Sequence, residues 1–390
     1  MSGEWPFLIS AERLESTSWK TYDPFLFCAY HQEDYPPAAS EHDDHASMGP
    51  DPRALAGRAL GHDFSKLNGF SMYHGRAVPG FPAHRHFGFE TVTIVRKGVV
   101  DHFDSLKGMA RYADNDIQWL SAGNGIIHSE MFPLLDHDNR NQLELIQIWL
   151  NLPASRKRSQ PSFHIGWAEE QAVKLFGSYP EQAELRLVAG SMFGLHGMTP
   201  PPHSYATDPN AELVIAIIRM APGSSITLPP CSNGEVHRAL YLYMGSSISL
   251  HTVSIDGNSS SSLDSASGAV GTSTSEGHKE SVATEGGGFQ VSKRMMMVHL
   301  HSNVPVQISC GSREAIAEML LLQALPLREP VFQSGPYVAS SRAELLEVMM
   351  EPHHDIWPFK RLDQVHSRYE GRFFQTGKKG EKHRPPIQPA

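Results

Sequence analysis

Two short stretches carry side chains able to hold a metal ion: His84-Arg85-His86-Phe87-Gly88-Phe89-Glu90 and Gly123-Asn124-Gly125-Ile126-Ile127-His128-Ser129-Glu130. In each, two ligand-type residues stand at i and i+2, His84 with His86 and His128 with Glu130. Alternate side chains leave the same face of an extended strand, so each pair points one way. If the two strands face one interior, the three imidazoles and the carboxylate converge. That donor set suits a borderline-hard divalent cation, with iron the leading candidate and other divalent metals as alternatives. Such a site keeps coordination positions open for water, substrate or dioxygen. Gly123 and Gly125 supply the tight backbone course that swings the second pair inward. Phe81, Phe89, Trp119, Ile127 and Met131 are expected to restrict water and receive a planar aromatic ligand.

The elements that must position these residues read as strands. Residues 68–73 and 90–95 alternate polar and apolar side chains, and 143–150, LELIQIWL, forms a strong strand ending at Asn151-Leu152-Pro153. The run from there to Pro161 reads as an interdomain linker. In the second half, 185–190, 213–220, 239–245 and 295–300 are strand candidates. Short strands punctuated by Gly, Pro, Asn and Asp indicate an all-β barrel or sandwich. Ser341-Arg342-Ala343-Glu344 reads as a capping box opening a helix, which Pro352 stops.

The rest of the chain reads as connection. Residues 31–55 are rich in Asp, Glu, His and Pro, and are expected to form a solvated, mobile loop in which His31, His42 and His45 have no fixed geometry. Residues 254–288 are mostly Ser, Gly and Thr, and lack the apolar surface to offset their ordering entropy. The last twenty residues read as a loose, basic tail.

Composition bounds the function. A chain of 390 residues allows two domains, and 40% hydrophobic content is ordinary for a globular protein. A net charge of −9 argues against direct nucleic-acid binding, because such affinity comes from Lys and Arg on phosphates. Arg156-Lys157-Arg158 and Lys378-Lys379 read as solvated surface. Cys28, Cys231 and Cys310 are too scattered for a thiolate zinc site or a disulfide framework, so a reducing compartment is expected. No run approaches the ~18 apolar residues of a membrane span.

The blocks HRHFGFETVTIV, HFDSLKG, DIQWLSAGNGIIHSEMFP and QIWLNLP, with PLREPVFQSGPYV near the C-terminus, occur in the order found in the pirin family, which this chain resembles from about residue 60 to 350. The resemblance implies an all-β bicupin with a short C-terminal helix. Residues 1–155 would form a metal-binding cupin barrel with the 31–55 insertion. Residues 156–336 would form a degenerate cupin barrel, and 337–390 the helix and tail. It implies an iron site on His84, His86, His128 and Glu130. Beyond the resemblance, Glu130 is expected to act as ligand and base, taking the proton of a bound enol or phenol. The implied activity is a quercetin 2,3-dioxygenase-like cleavage of flavonol-type aromatics. The alternative is a non-enzymatic, iron- and redox-dependent co-regulator that acts through a transcription-factor partner, in the cytoplasm or the nucleus. Cupins often use a Glu four residues after His-x-His, which is Glu90 here, but similarity to pirins favours Glu130 and leaves Glu90 to orient an imidazole. Arg85, Phe87 and Asp114-Asn115 depart from the family pattern, where Pro, Arg and a Pro-Gly turn are usual.

Other histidines read more simply. His299 and His301, with His237 as sole companion, lack a partner motif, and the second barrel is expected to be metal-free. His102 near Asp104 and Ser105 has no nucleophile elbow and is not a triad. Trp119 and Trp149 read as barrel packing, with the pocket wall as the alternative.

Overall fold

The computed structural model describes residues 5–15, 17–245, 247–253, 282–283, 289–291, 294–311, 315–351, 357–377 and 380–386. The expected Ser/Gly-rich insertion lies outside the described residues except at 282–283, as do Pro352, Lys378 and Lys379.

Each half is a pair of facing sheets. In the first half, one sheet runs Ser162–Gly166, Ile117–Ser121, Phe89–Lys97, Asn141–Asn151, Phe25–Tyr35, Ser18–Trp19. The other runs Phe373–Gln375, Met109–Ala113, Val99–Asp104, Ile126–Met131, Gly80–His86. The second half repeats the plan with an eight-stranded and a five-stranded sheet. The only α-helix among the described residues is Arg342–Met350, whose first turn is capped by Ser341 Oγ accepting from the Glu344 amide at 3.1 Å.

The alternation in LELIQIWL decides which face does what. Leu143 and Leu145 enter the core of the first barrel, while Ile146, Ile148 and Leu150 point the other way. There they meet Ile215, Ile217, Tyr241, Tyr243 and Leu320 of the second half in a continuous apolar layer between the barrels. A third cluster, including Leu185, Ile218, Leu240 and Leu321, fills the second barrel. Burying two-sided strands in this way is what their near-continuous apolar runs require.

Strand pairing crosses the 155/156 boundary. Leu8–Arg13 pairs with Met296–His301 in the second barrel, whereas Ser162–Gly166 pairs with Ile117–Ser121 in the first. The run after Pro153 is therefore followed by one more strand of the first barrel.

Four local expectations are corrected. Residues 68–73 form no strand; the chain there passes through a 3-10 turn, and Tyr73 makes only isolated bridges. The polar stretch from 31 begins inside the Phe25–Tyr35 strand, and Ser47 and Met48 further along it are buried. Arg368 pins this stretch by donating to the Ser40 carbonyl at 2.8 Å. Within the expected tail, the described residues 371–377 are ordered on the barrel, because Phe373–Gln375 completes a sheet of the first barrel with Phe373 1% exposed. Lys157 is buried rather than solvated, its ammonium donating to the Gly88 carbonyl at 2.8 Å and to Asn151 Oδ1. In the last three cases, apolar or hydrogen-bonding partners elsewhere in the chain override local polarity.

Candidate metal centre

The Gly80–His86 strand runs antiparallel to Ile126–Met131, with Phe81 opposite Glu130 and His84 opposite His128. The register shifts between those pairs, so Pro82 and Ala83 face Ser129 alone. Proline has no N–H to give a ladder, which makes this a natural place for a bulge. The bulge also acts on the site, because the Pro82 carbonyl accepts from His84 Nδ1 at 2.9 Å. With Nδ1 protonated, the lone pair of His84 lies on Nε2. On the other strand, Gly123 and Gly125 have φ of +45° and +117°, and a Cβ on Gly123 would sit 2.2 Å from the Ser159 carbonyl oxygen. Only glycine fits there.

The donor atoms converge. One nitrogen from each of His84, His86 and His128 lies within 4.8 Å of the others. His84 Nε2 and His86 Nε2 are 2.9 Å apart. Two donors at roughly 2.1 Å from one cation sit about 3 Å apart when they subtend a right angle, so this spacing is one a shared cation produces. His128 is fully buried with no hydrogen bond on either ring nitrogen among the described residues, and His86 Nδ1 is likewise unpartnered. Buried polar atoms without partners are rare, and a cation would satisfy His128 Nε2. Burial pushes the His84 imidazole down to about 4, and holds His86 and His128 well below the ordinary range, aided by the neighbouring imidazoles. All three are neutral at pH 7, the form that ligates. The residues fit a divalent metal.

Glu130 stands at the edge of this cluster, its Oε2 3.8 Å from His128 Nε2. Gln147 Nε2 donates to both of its oxygens, at 3.1 Å each. Trp149 Nε1 donates to Gln147 Oε1 at 3.0 Å, which fixes the orientation of that amide. Burial raises the Glu130 carboxyl above its usual range, and the Gln147 hydrogen bonds oppose the rise. Gln147 was not singled out from the sequence. The signal was there: it is the polar residue on the inward face of an otherwise apolar strand, two residues from Trp149.

His84, His86, Glu130, Gln147 and Trp149 line a cavity of about 480 Å³ in the first barrel. Phe81 and Trp149 wall it, so Trp149 takes the pocket-wall reading while Trp119 belongs to the layer between the barrels. Of the other expected neighbours, Phe89 packs edge-on against His86 at 5.0 Å, and Met131 lies in a separate small cluster. Arg85 reaches outward to the C-terminal helix, donating to the Val348 carbonyl at 3.0 Å and to Glu351 at 2.8 Å.

Glu90 does not orient an imidazole. On its strand, Val95 and Thr93 face the barrel interior, whereas Glu90 shares the opposite face with Val92 and Ile94. It is fully buried and accepts from the Ser204 hydroxyl of the second half. His102 lies beside the centre instead, opposite Glu130 in the ladder, its ring 5.4 Å from His128 and its Nε2 3.1 Å from Asp104 Oδ2. Ser105 serves elsewhere, accepting from the Ile127 amide at 3.2 Å. In the second barrel, His237 Nδ1 and His299 Nε2 are 3.3 Å apart under the ring of Tyr22, and His301 is exposed.

The profile of the family described as Pirin matches residues 55–150. A Vibrio cholerae protein provisionally named quercetin 2,3-dioxygenase is 30% identical over 276 residues, which cover 70% of this chain and 78% of that one. The chain belongs to the pirin family. Pirin-1 of Arabidopsis thaliana is 28% identical over 272 residues, covering 68% of this chain and 74% of its own. The crystal structure of quercetin 2,3-dioxygenase from Acinetobacter baumannii superposes with a TM-score of 0.59 at 17% identity, covering 89% of this chain and 96% of that one. The fold is therefore that of the two-barrel, bicupin pirins, as the sequence resemblance implied.

Proposed function

We propose that this pirin-family protein is an iron-dependent dioxygenase acting on flavonol-type aromatics, with Fe(II) held by His84, His86, His128 and Glu130. The observation that carries the reading is the convergence of three neutral imidazoles, His86 and His128 buried and His84 half-buried, beside Glu130 at an aromatic-walled cavity. The names of relatives in Vibrio cholerae and Pseudomonas aeruginosa support the reaction class.

Bound iron would supply open coordination positions where a flavonol oxygen and dioxygen meet. The remaining work belongs to the chain. Phe81 and Trp149 hold the flat ring system and exclude water. Glu130, raised by burial, takes the proton of the flavonol hydroxyl, and Gln147 keeps its oxygens aimed at that task. The three scattered cysteines, Cys28, Cys231 and Cys310, suit a reducing compartment, cytoplasmic or nuclear.

Oxygen uptake by the iron-loaded protein in the presence of quercetin is the direct test. Iron bound at one equivalent with no oxygen consumed would remove the enzymatic reading and leave the co-regulator one.

A further inference from the structure

The cavity has a second polar end that the metal chemistry does not use. His31, Tyr73 and Lys66 line it, away from the imidazole cluster. In the ladder between Phe25–Tyr35 and Asn141–Asn151, Ala29 stands opposite Gln147, His31 opposite Leu145, and Glu33 opposite Leu143. His31 is thus two residues along the strand from the Gln147 row, about 7 Å at the usual rise per residue. Phe81 lies between the two ends, its ring 5.9 Å from His31 and 6.3 Å from His84.

The hydrogen bonds at this end form a directed chain. Glu33 is buried, and accepts from the Ser71 amide at 2.9 Å and from the Tyr73 hydroxyl. Lys66 Nζ stands 3.0 Å from Glu33 Oε1. Burial raises the Glu33 carboxyl, but the Tyr73, Ser71 and Lys66 donors, the last a cation, oppose the rise and favour the carboxylate, so Tyr73 Oη spends its proton on Glu33. The 2.8 Å contact between Tyr73 Oη and His31 Nδ1 must then be donated by His31. That leaves the lone pair of His31 on Nε2, which bonds to no described residue, on a ring that lines the cavity. Burial and the nearby Lys66 charge push this imidazole down to about 4, so it stays neutral. The backbone is held for the purpose: Tyr73 and Lys66 have φ of +56° and +54°, a region non-glycine residues avoid and which clusters at binding sites.

We infer that His31, set by Tyr73, Glu33 and Lys66, is a specificity-determining acceptor for a hydroxyl at the end of the ligand remote from the metal. The ligand class this selects is an elongated aromatic with two oxygen functions about 7 Å or more apart, the span set by two strand residues. A single phenol ring is too short to reach both ends. The inference rests on the flavonol reading above and adds which flavonols the cavity prefers.

The test uses the full-length, iron-loaded protein under nitrogen, so that nothing turns over. Dissociation constants for 3-hydroxyflavone and for 3,7,4′-trihydroxyflavone, which has a hydroxyl at each end, are measured by tryptophan quenching. The wild type is expected to prefer the trihydroxy compound by about three- to tenfold, the range of one neutral hydrogen bond. In H31F and Y73F the ratio should fall to about one, with iron content unchanged. Y73F removes one oxygen and keeps the ring, so it carries the test if H31F folds poorly. A wild type without preference, or a preference that survives both substitutions, overturns the inference and leaves the flavonol reading standing. If neither compound binds the iron-loaded wild type, the flavonol reading fails and this inference with it.

Discussion

Gln147 donates one amide nitrogen to both oxygens of Glu130, 3.1 Å from each, while its own oxygen accepts from Trp149. The cavity wall and the candidate base are therefore mechanically linked. Gln147→Leu keeps the side-chain volume and removes both contacts. We expect kcat/KM for the flavonol to fall about 10- to 100-fold, the usual effect of losing a partner that orients a metal-site ligand, with iron largely retained. Steady-state kinetics beside elemental analysis checks this. Unchanged kinetics would show that Glu130 needs no such support.

Iron should stabilise the fold through the three imidazoles. A ligand that binds only the native state at 100 times its Kd adds about 2.7 kcal/mol. Urea denaturation of the metal-free protein with and without Fe(II), under nitrogen, should show an increment of that order. His128→Ala should abolish the increment, because the donor directly across the ladder from His84 is gone. An equal increment in the variant would place the iron elsewhere.

How much of this was legible in the sequence depends on the kind of signal. The His84, His86 and His128 constellation was legible because i, i+2 spacing on a strand is a purely local property, and the structure brings those nitrogens together. The layer between the barrels was implicit in the two-sided apolarity of residues 143–150. Glu90 misled: four residues after His86 on one uninterrupted strand it would share that face. The positive-φ Gly88 breaks the strand between them and turns Glu90 to the other side. His31 and the C-terminal residues were hidden for another reason. His31 is followed by the polar Gln32-Glu33-Asp34 and the C-terminal residues lie in a polar run, while their burial comes from partners over forty and over two hundred residues away. Local composition carries no trace of such partners.

Glu90 gives a pH prediction of definite sign. Burial between the barrels pushes its carboxyl up to about 8, and the Ser204 hydroxyl only partly opposes this. The native state therefore keeps a proton that the unfolded chain loses near the ordinary carboxylate value. Native binds more protons than unfolded between about 4.5 and 8, so stability falls as pH rises through that window, by at most about 1.4 kcal/mol per pH unit. Glu90→Gln cannot titrate, and its denaturation free energy should be flatter over the same range while iron binding persists. A wild-type minus variant difference that stays constant from pH 5 to 8 would contradict the assignment, and loss of iron would restore Glu90 to the metal centre.

The C-terminal residues should be structural rather than dispensable. Arg111 is 2% exposed and pairs with Asp101 at 2.7 and 2.8 Å, while its remaining nitrogen donates to the Ser367 and Glu370 carbonyls at 2.8 Å. The His366 amide donates to Asp101 at 2.8 Å, and its ring stacks on Phe103 at 4.2 Å. Ending the chain at Val365 strips these partners and the buried Phe373 from the Met109–Ala113 edge. Losing the phenylalanine costs about 2 kcal/mol, and each hydrogen bond left to water about 1 kcal/mol more. We expect the truncated protein to be destabilised by about 3–5 kcal/mol on those same grounds, visible as a lower urea midpoint. Because the Arg111 strand pairs with the Val99–Asp104 strand, which in turn pairs with the strand bearing His128 and Glu130, the loss should also weaken iron binding. A truncated chain with the wild-type midpoint would mean that these contacts add nothing to the barrel.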